Sequence, residues 1–300
     1  MSTLPHISSL PRVSDSWSFV YVEAAHIECH QFTLQIRNER YRYSIPIAQY
    51  LVLLAGPGTT ISHDAAVLLA NHGCSLVWCG ESGVRFYGSA HPETQVTTLA
   101  DLQVQAYVSA HGRSEIAHRL YRMRFPASPV DPQASIAQLR GVEGVQMRSI
   151  YRTLAQQNGL AWQGRHTDDD WQAHAPLQQA INVANSCLYG ICHAAIVAVG
   201  MIPLCGFVHR GNQRSFVFDI ADLYKADVTL PIAFATVAES ETNIAQRVRR
   251  ACRDAFASQT VLTRIVPDLY ALFAQPRPWV RYIDTRHAPP PASAEEGTQC

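Results

Sequence analysis

The sequence predicts an α+β protein, a small β-rich N-terminal domain followed by a larger all-α domain. Residues 1–90 are a series of short runs rich in aromatic and β-branched residues, separated by turn residues. From about residue 95 the apolar residues recur at helical spacing. The chain has 300 residues, of which 47% are hydrophobic, enough to fill one large core or two ordinary ones.

The N-terminal strands are expected in SWSFVYVEAAHIEC, FTLQIRN, RYRYSIPI, YLVLLAG, CSLVWCG and VRFYGS, with RNER as a hairpin turn between the second and third. GPGTTISHDAAVLLANHG breaks the strand pattern. Its Pro and Gly make a turn, Thr60 or Ser62 can cap, and AAVLLA continues as a short helix. GSAHPET, at 88–94, is a hinge. This divides the chain into a β-rich domain (1–90), a linker (91–94), a helical domain (95–283) and a polar, proline-rich disordered tail (284–300).

The helical domain opens with TLADLQVQAYVSAHGRSEIAHRLYRMRF, read as one long segment that stops at PASPVDP. IAQLRGVEGVQMRSIYRTLAQQNGL follows. Gly141 and Gly144 flank Glu143 there, a costly choice in mid-helix unless something approaches closely. Residues 161–176 are a polar excursion. LQQAINVANSCLYGICHAAIVAVG is the central apolar helix, and its polar residues and Pro203 beyond it favour a core helix over a membrane span. SFVF before Asp219 suggests a strand or a buried approach. NIAQRVRRACRDAFA and TVLTRIVPDLYALFA are the closing helices, the second strained by Pro267.

Charged residues are 16% of the chain and the formal net charge is zero. A bulk-basic nucleic-acid binder is thereby excluded, but a local basic stripe is not. Arginines greatly outnumber lysines, and arginine grips phosphate with a planar fork. The eight cysteines form no CxxC pair. Cys74, Cys79, Cys187, Cys192, Cys205 and Cys252 lie among apolar residues and read as buried thiols. The N-terminal residues carry no apolar signal run, so a cytoplasmic location is expected.

Four side chains stand out as candidate ligands and catalytic residues: Glu143 in RGVEG, His209 in GFVHRG, and Asp219 and Asp222 in FVFDIADLYK. One imidazole and three carboxylates suit Mg²⁺ or Mn²⁺ better than structural zinc. A divalent ion on Glu143, His209 and Asp222 would activate water or a DNA 3′-hydroxyl. Asp219 is open to several readings: a helix N-cap, a ligand to a second ion, or a group that orients His209. Asp222 lies near an apolar face and needs a partner or a metal.

Arginines cluster around these groups. Arg247, Arg249, Arg250 and Arg253 fall within two helical turns. Arg148 and Arg152 share a face near Glu143, and Arg113, Arg119, Arg122 and Arg124 make a third group. Each is a candidate phosphate-binding face or a solvated one. Tyr121, Tyr151 and Tyr189 can stack on bases or pack in the core. HTDDDWQAH, with His166 and His174, looks like a flexible acidic loop rather than a metal site.

Taken in order, IPIAQYLVLLAGPGTTISHDAAVLLANHGCSLVWCGESGVRFY, QLRGVEG, INVANSCLYG, GFVHRG, SFVFDIADLYK and RRACRDAF resemble the CRISPR-associated endonuclease/integrase one family of the adaptation module, in its subtype I-E branch. The resemblance runs to about residue 265. It implies a β-sandwich-like N-terminal domain for dimerisation and DNA contact, and an α-helical catalytic domain. It implies a homodimer that joins a small companion protein in a heterohexamer. That complex takes a double-stranded prespacer and inserts it at the CRISPR leader–repeat by 3′-hydroxyl attack on repeat phosphates. Glu143, His209 and Asp222 fall on the family's metal ligands, with Mg²⁺ or Mn²⁺ as cofactor, and Asp219 on a neighbouring acidic position. Tyr189 and Arg85 fall near the DNA path, Arg210 follows the histidine, and Asn182 and Asn185 flank the site.

Two departures bear on DNA affinity. Thr60 and Val67 stand where the subtype usually carries basic residues. They keep open a catalytically weakened DNA-binding subunit, and the acidic–histidine set keeps open a phosphohydrolase of small substrates.

Overall fold

A computed structural model describes residues 16–31, 33–39, 42–45, 52–93, 97–128, 130–161, 175–258 and 261–284. The polar excursion with His166 and His174, and the tail from residue 285, lie outside the described residues. The chain divides into two compact units. One comprises residues up to Cys79, Tyr87–Gln95 and everything from Trp279; the other comprises Gly80–Phe86 and Val96–Pro278.

The first unit holds β1 (Ser16–Val22), β2 (His26–His30), β3 (Thr33–Arg37), β4 (Arg42–Ile45), β5 (Val52–Ala55), β6 (Thr60–Ile61), α1 (His63–Asn71), β7 (Ser75–Cys79), most of β8 (Phe86–Ala90) and β9 (Trp279–Asp284). They form a five-stranded sheet in the order β8-β7-β5-β1-β9 and a four-stranded sheet in the order β4-β3-β2-β6. The expected hairpin is present, with β3 and β4 antiparallel and Leu34 opposite Ile45. The first predicted run splits into β1 and β2 at Ala24, whose φ is 48°. Val20, Val22 and Leu53 from one sheet, Ile27, Leu34 and Ile36 from the other, and Leu69 of α1 share a single core. Burying each such side chain contributes roughly 1.5–3 kcal/mol. Ser62, not Thr60, caps α1, its Oγ accepting from the Ala65 amide at 3.2 Å.

Two expectations about boundaries need correcting. The helical region does not run to residue 283: Trp279–Asp284 is β9, parallel to β1 with Val20 opposite Ile283. Residues 80–86, between β7 and the body of β8, group with the helical unit.

The second unit contains α2 (Thr98–Val108), α3 (Ala110–Arg124), α4 (Ile136–Gln157), α5 (Ala175–Ala198), α6 (Ser215–Ala221), a π-helical turn (Lys225–Thr229), α7 (Leu230–Glu239), α8 (Ile244–Ser258) and α9 (Val261–Leu272). The long segment expected over 98–125 is broken in two. Ser109 adopts an extended conformation and caps α3, its Oγ accepting from the Gly112 amide at 3.2 Å. The chain then folds back so closely that a Cβ on Gly112 would sit 2.8 Å from the Ala106 backbone. SFVF is helix, not strand: Ser215, Phe216 and Val217 open α6 and are buried there, so tertiary burial overrides β-propensity. Ser135 and Gln138 form a capping box at the start of α4.

The centre of this unit is α5. Pro176–Ala198 is long and apolar enough to cross a membrane, but 72% of its most apolar window is buried inside the protein, and α6, α7, α8 and α9 pack around it. Gly190 of α5 admits the backbone of Val84 and Arg85, since a Cβ there would approach the Arg85 nitrogen to 2.6 Å. This contact explains why residues 80–86 belong to the helical unit. Six cysteines expected to be buried thiols (Cys74, Cys79, Cys187, Cys192, Cys205 and Cys252) are buried.

Candidate active site

Three pieces of the helical unit come together around one cleft. Its lining includes Tyr121 and Arg124 of α3, Val208 of the loop before α6, and Asp219 and Asp222 at the end of α6. Glu143 reaches the same place from α4 through its bonds to Tyr121 and Arg124.

The loop carrying His209 is built around Asp219. Its carboxylate is fully buried. Oδ2 accepts from the amides of Phe207 (2.6 Å) and Val208 (3.2 Å), and Oδ1 accepts from the His209 amide (2.8 Å). Oδ1 also lies 2.8 Å from His209 Nδ1. A carboxylate only accepts, so Nδ1 carries the proton, and in the neutral ring Nε2 keeps its lone pair. Asp219 is therefore neither the N-cap of α6 nor free to bind an ion as it stands. It is the group that folds the loop and fixes the imidazole tautomer, one of the roles open to it from sequence. Gly206 is required at the loop's base, where a Cβ would clash with the His209 carbonyl oxygen and lie 2.7 Å from Ser215. Arg140 of α4 donates to the Val208 carbonyl and ties the loop down from the other side.

The hydrogen bond to Asp219, followed by the charges of Asp219 and Asp222, raises the His209 pKa above 6.5 against the opposing effect of burial. The sign is that of a base stabilised by its partner. The contribution to stability is fully present below pH 6.5 and is lost as pH rises through the elevated value. Asp219→Asn is expected to lower the His209 titration midpoint in the metal-free protein, as followed by NMR of the ring protons. An unchanged midpoint would show that Asp219 is not what holds the proton on Nδ1.

Asp222 is 8% exposed and sits between two cations. Its Oδ2 is 3.2 Å from Arg124 Nη1 and its Oδ1 is 2.6 Å from Lys225 Nζ. Burial opposes its ionisation, but Lys225 and Arg124 outweigh burial and hold the carboxyl below the usual range. Lys225 is the chain's single lysine. Burial works against its ammonium, yet Asp222 and Tyr189 more than compensate and raise its pKa. Glu143 Oε1 is 2.6 Å from the same Arg124 Nη1, and Tyr121 Oη donates to Oε2 at 2.9 Å. Burial, then the Glu143 charge, pushes the Tyr121 phenol up.

Glu143 and Asp222 thus both reach one arginine nitrogen, Nη1 of Arg124. Among the described residues no three His, Cys, Asp or Glu side chains are close enough together to hold a metal ion. The chemistry of the donors still fits one. Two carboxylates and an imidazole with its second nitrogen fixed by a carboxylate suit a hard divalent ion such as Mg²⁺ or Mn²⁺.

The expected DNA-contacting residues divide into two groups. Arg85, Arg148, Arg152, Arg210 and Arg250 are exposed. Tyr189 is half-buried, edge-on to Phe218 with ring centroids 4.9 Å apart and with Lys225 Nζ 5.0 Å from its ring. Arg247, in contrast, closes the end of α7, donating to the carbonyls of Thr236 (3.0 Å) and Ser240 (2.6 Å) and to Glu239. Arg253 pairs with Asp254 at 2.8 Å and faces Glu81 at 3.8 Å, and Arg249 is half-buried. Asn185, buried in α5, accepts from Thr229 of the π-helical turn at 3.0 Å, whereas Asn182 is exposed. In the strand-rich unit, Thr60 bonds His26 and Val67 is exposed on α1.

Sequence reasoning missed the cations of the site. Arg124 was grouped with surface arginines, although Tyr121 and Arg124 stand three apart on one face of α3 beside apolar Leu120 and Phe125. Lys225 stands three residues after Asp222, and that spacing was the available signal.

The class so defined is an α+β protein whose helical part sets acidic groups at one cleft, with an imidazole bonded to one of them. Comparison with known proteins narrows it. A family model described as CRISPR associated protein Cas1 matches residues 109–246. Over 274 residues the chain is 40% identical to CRISPR-associated endonuclease Cas1 2 of Thermus thermophilus, spanning 91% of this chain and 84% of that protein. Over 270 residues it is 36% identical to CRISPR-associated endonuclease Cas1 of Escherichia coli, spanning 89% and 87%. The crystal structure of a TtCas1–DNA complex aligns with a TM-score of 0.81 at 41% identity, covering 88% of this chain and 99% of that chain. A casposase bound to integration product shares the fold, with a TM-score of 0.61 at 12% identity. The chain belongs to the Cas1 family of CRISPR-associated endonucleases.

Proposed function

We propose that the protein is a Mg²⁺- or Mn²⁺-dependent DNA endonuclease and integrase that inserts DNA fragments into a CRISPR array. The observation that carries this reading is the meeting of Glu143 and Asp222 at one cation, next to a histidine whose tautomer Asp219 sets. The names of the relatives and the DNA in the TtCas1 complex support the substrate class. Glu143, His209 and Asp222 would hold the ion. When bound, it supplies charge stabilisation at phosphate oxygens and activates the attacking hydroxyl.

The chain's own residues do the rest. Asp219 keeps Nε2 of His209 available and holds the loop. The exposed Arg210 meets backbone phosphate next to the site, and Tyr189 stacks near the strand end. In strand transfer, the incoming 3′-oxygen forms a bond to a repeat phosphorus as the bond to the repeat's own 3′-oxygen breaks, so phosphodiester count is conserved. The quoted sequence blocks support a subtype I-E-like member that works as a homodimer with a small companion protein, with the strand-rich domain in dimerisation and DNA contact. A cytoplasmic location fits that role.

The test is turnover of branched DNA and strand transfer of a prespacer, in Mg²⁺ or Mn²⁺ and in EDTA. Activity is expected to vanish on chelation and return with Mn²⁺; equal yield in EDTA rejects the reading. Prespacer insertion would also exclude the weakened-subunit alternative suggested by Thr60 and Val67. Turnover of a small phosphoester that DNA leaves unaffected would favour the phosphohydrolase.

The exposed Arg250 is the member of its cluster best placed for phosphate. Arg250→Glu is expected to lower DNA affinity and to flatten the log–log salt dependence by about one unit of slope. An unaltered slope would locate the DNA elsewhere.

A further inference from the structure

We propose that Arg124 holds the place of the divalent ion in the metal-free protein and is displaced when the ion binds. The inference rests on the reading of Glu143, His209 and Asp222 as metal ligands. One Arg124 nitrogen, Nη1, touches a carboxylate oxygen of each acid, at 2.6 Å from Glu143 and 3.2 Å from Asp222. A bridging cation of this kind is what the acids need when no metal is present. Two neighbouring, mostly buried carboxylates repel each other and are costly to leave unpaired.

The guanidinium is not held as a permanent structural ion pair would be. Its side chain is 7% exposed, yet its buried Nε lacks a hydrogen-bond partner among the described residues. An optimised buried pair satisfies every donor of the fork. Arg124 is secured chiefly by the charges it neutralises, and a divalent ion supplies the same charge in a smaller volume and adds the imidazole. The Phe125 ring, 5.1 Å from the guanidinium carbon, offers an adjacent surface on which the cation can remain.

Calorimetric titration of the full-length protein with MnCl₂ alone tests this, with melting curves recorded with and without Mn²⁺. Arg124→Met is expected to bind Mn²⁺ roughly tenfold more tightly than wild type, because a competitor for the same oxygens has gone. Its metal-free melting temperature should fall, and Mn²⁺ should restore it. A purely structural Arg124 would have the opposite signature, since carboxylates that lose their scaffold bind the ion more weakly. Equal or weaker Mn²⁺ binding by Arg124→Met, with wild type binding and His209→Ala not, overturns the displacement but leaves the metal site standing. No Mn²⁺ binding by wild type or Arg124→Met overturns both. Arg124→Lys, which keeps the charge but not the fork, guards against misfolding of the methionine variant. It should bind Mn²⁺ with an affinity above that of wild type, and wild-type affinity counts against the proposal.

Discussion

Replacing Glu143 or His209 by alanine is expected to reduce cleavage of branched DNA and strand transfer by about a thousandfold, since on the proposed function each is a metal ligand whose loss would remove several kcal/mol of charge stabilisation at the reacting phosphate. The two substitutions act on different supports, which makes them informative together. Glu143→Ala also leaves Tyr121 without its acceptor and Arg124 with Asp222 alone, a stability cost of about 1–3 kcal/mol. His209→Ala leaves the three backbone amides that hold the loop on Asp219 in place, so it should melt close to wild type. Glu143→Gln is the control, because it keeps the shape and the acceptor for Tyr121 while removing the charge. Rates measured in saturating Mg²⁺ and in Mn²⁺, beside thermal melts, separate chemistry from folding. Retention of wild-type rates by both folded alanine variants would remove them from the reaction.

Two glycine-to-alanine substitutions are expected to change stability in opposite directions. Gly206→Ala drives a methyl group into the His209 carbonyl and Ser215. Neither can yield without separating the loop from the start of α6, and overpacking of this kind costs about 3 kcal/mol. The displaced loop would also part His209 from Asp219, so DNA turnover should fall with stability. Gly141 lies on α4 with nothing within 4 Å of an added Cβ. Gly141→Ala should stabilise the protein by about 0.5–1 kcal/mol through helix propensity alone. The close approach that glycines beside Glu143 suggested is not found at Gly141. Urea denaturation reads both signs, and a neutral Gly206→Ala would disprove the tight loop.

Much of the fold could be read along the chain because its signals are local. The strand runs rich in aromatic and β-branched residues, and a cap at Thr60 or Ser62, are written within a few residues. Strand β9 was not, because its pairing with β1 joins the two ends of the chain and parallel pairing leaves no local signature. The break at Ser109 was missed because helical periodicity continues across it; the serine followed by Gly112 was the only mark. At the site, the residue types of Glu143, His209 and Asp222 were legible as candidate ligands. The cations between them were hidden, since an arginine on α3 reads as surface until α4 and α6 close over it. Asp219 shows the same limit. Its spacing from Asp222 allowed several roles, and only the fold of residues 207–209 around its carboxylate distinguishes them.

The solitary lysine has a consequence for how the protein can be modified. Apart from the α-amino group, acylation of an amine in this chain can fall only on Lys225, beside the acidic pair. Its ion pair keeps the amine protonated and therefore poorly nucleophilic, so reagents should spare it until Asp222 is removed or drawn away. Once acylated, it would leave Asp222 with Arg124 as its remaining cationic neighbour, and the acid would become easier to protonate.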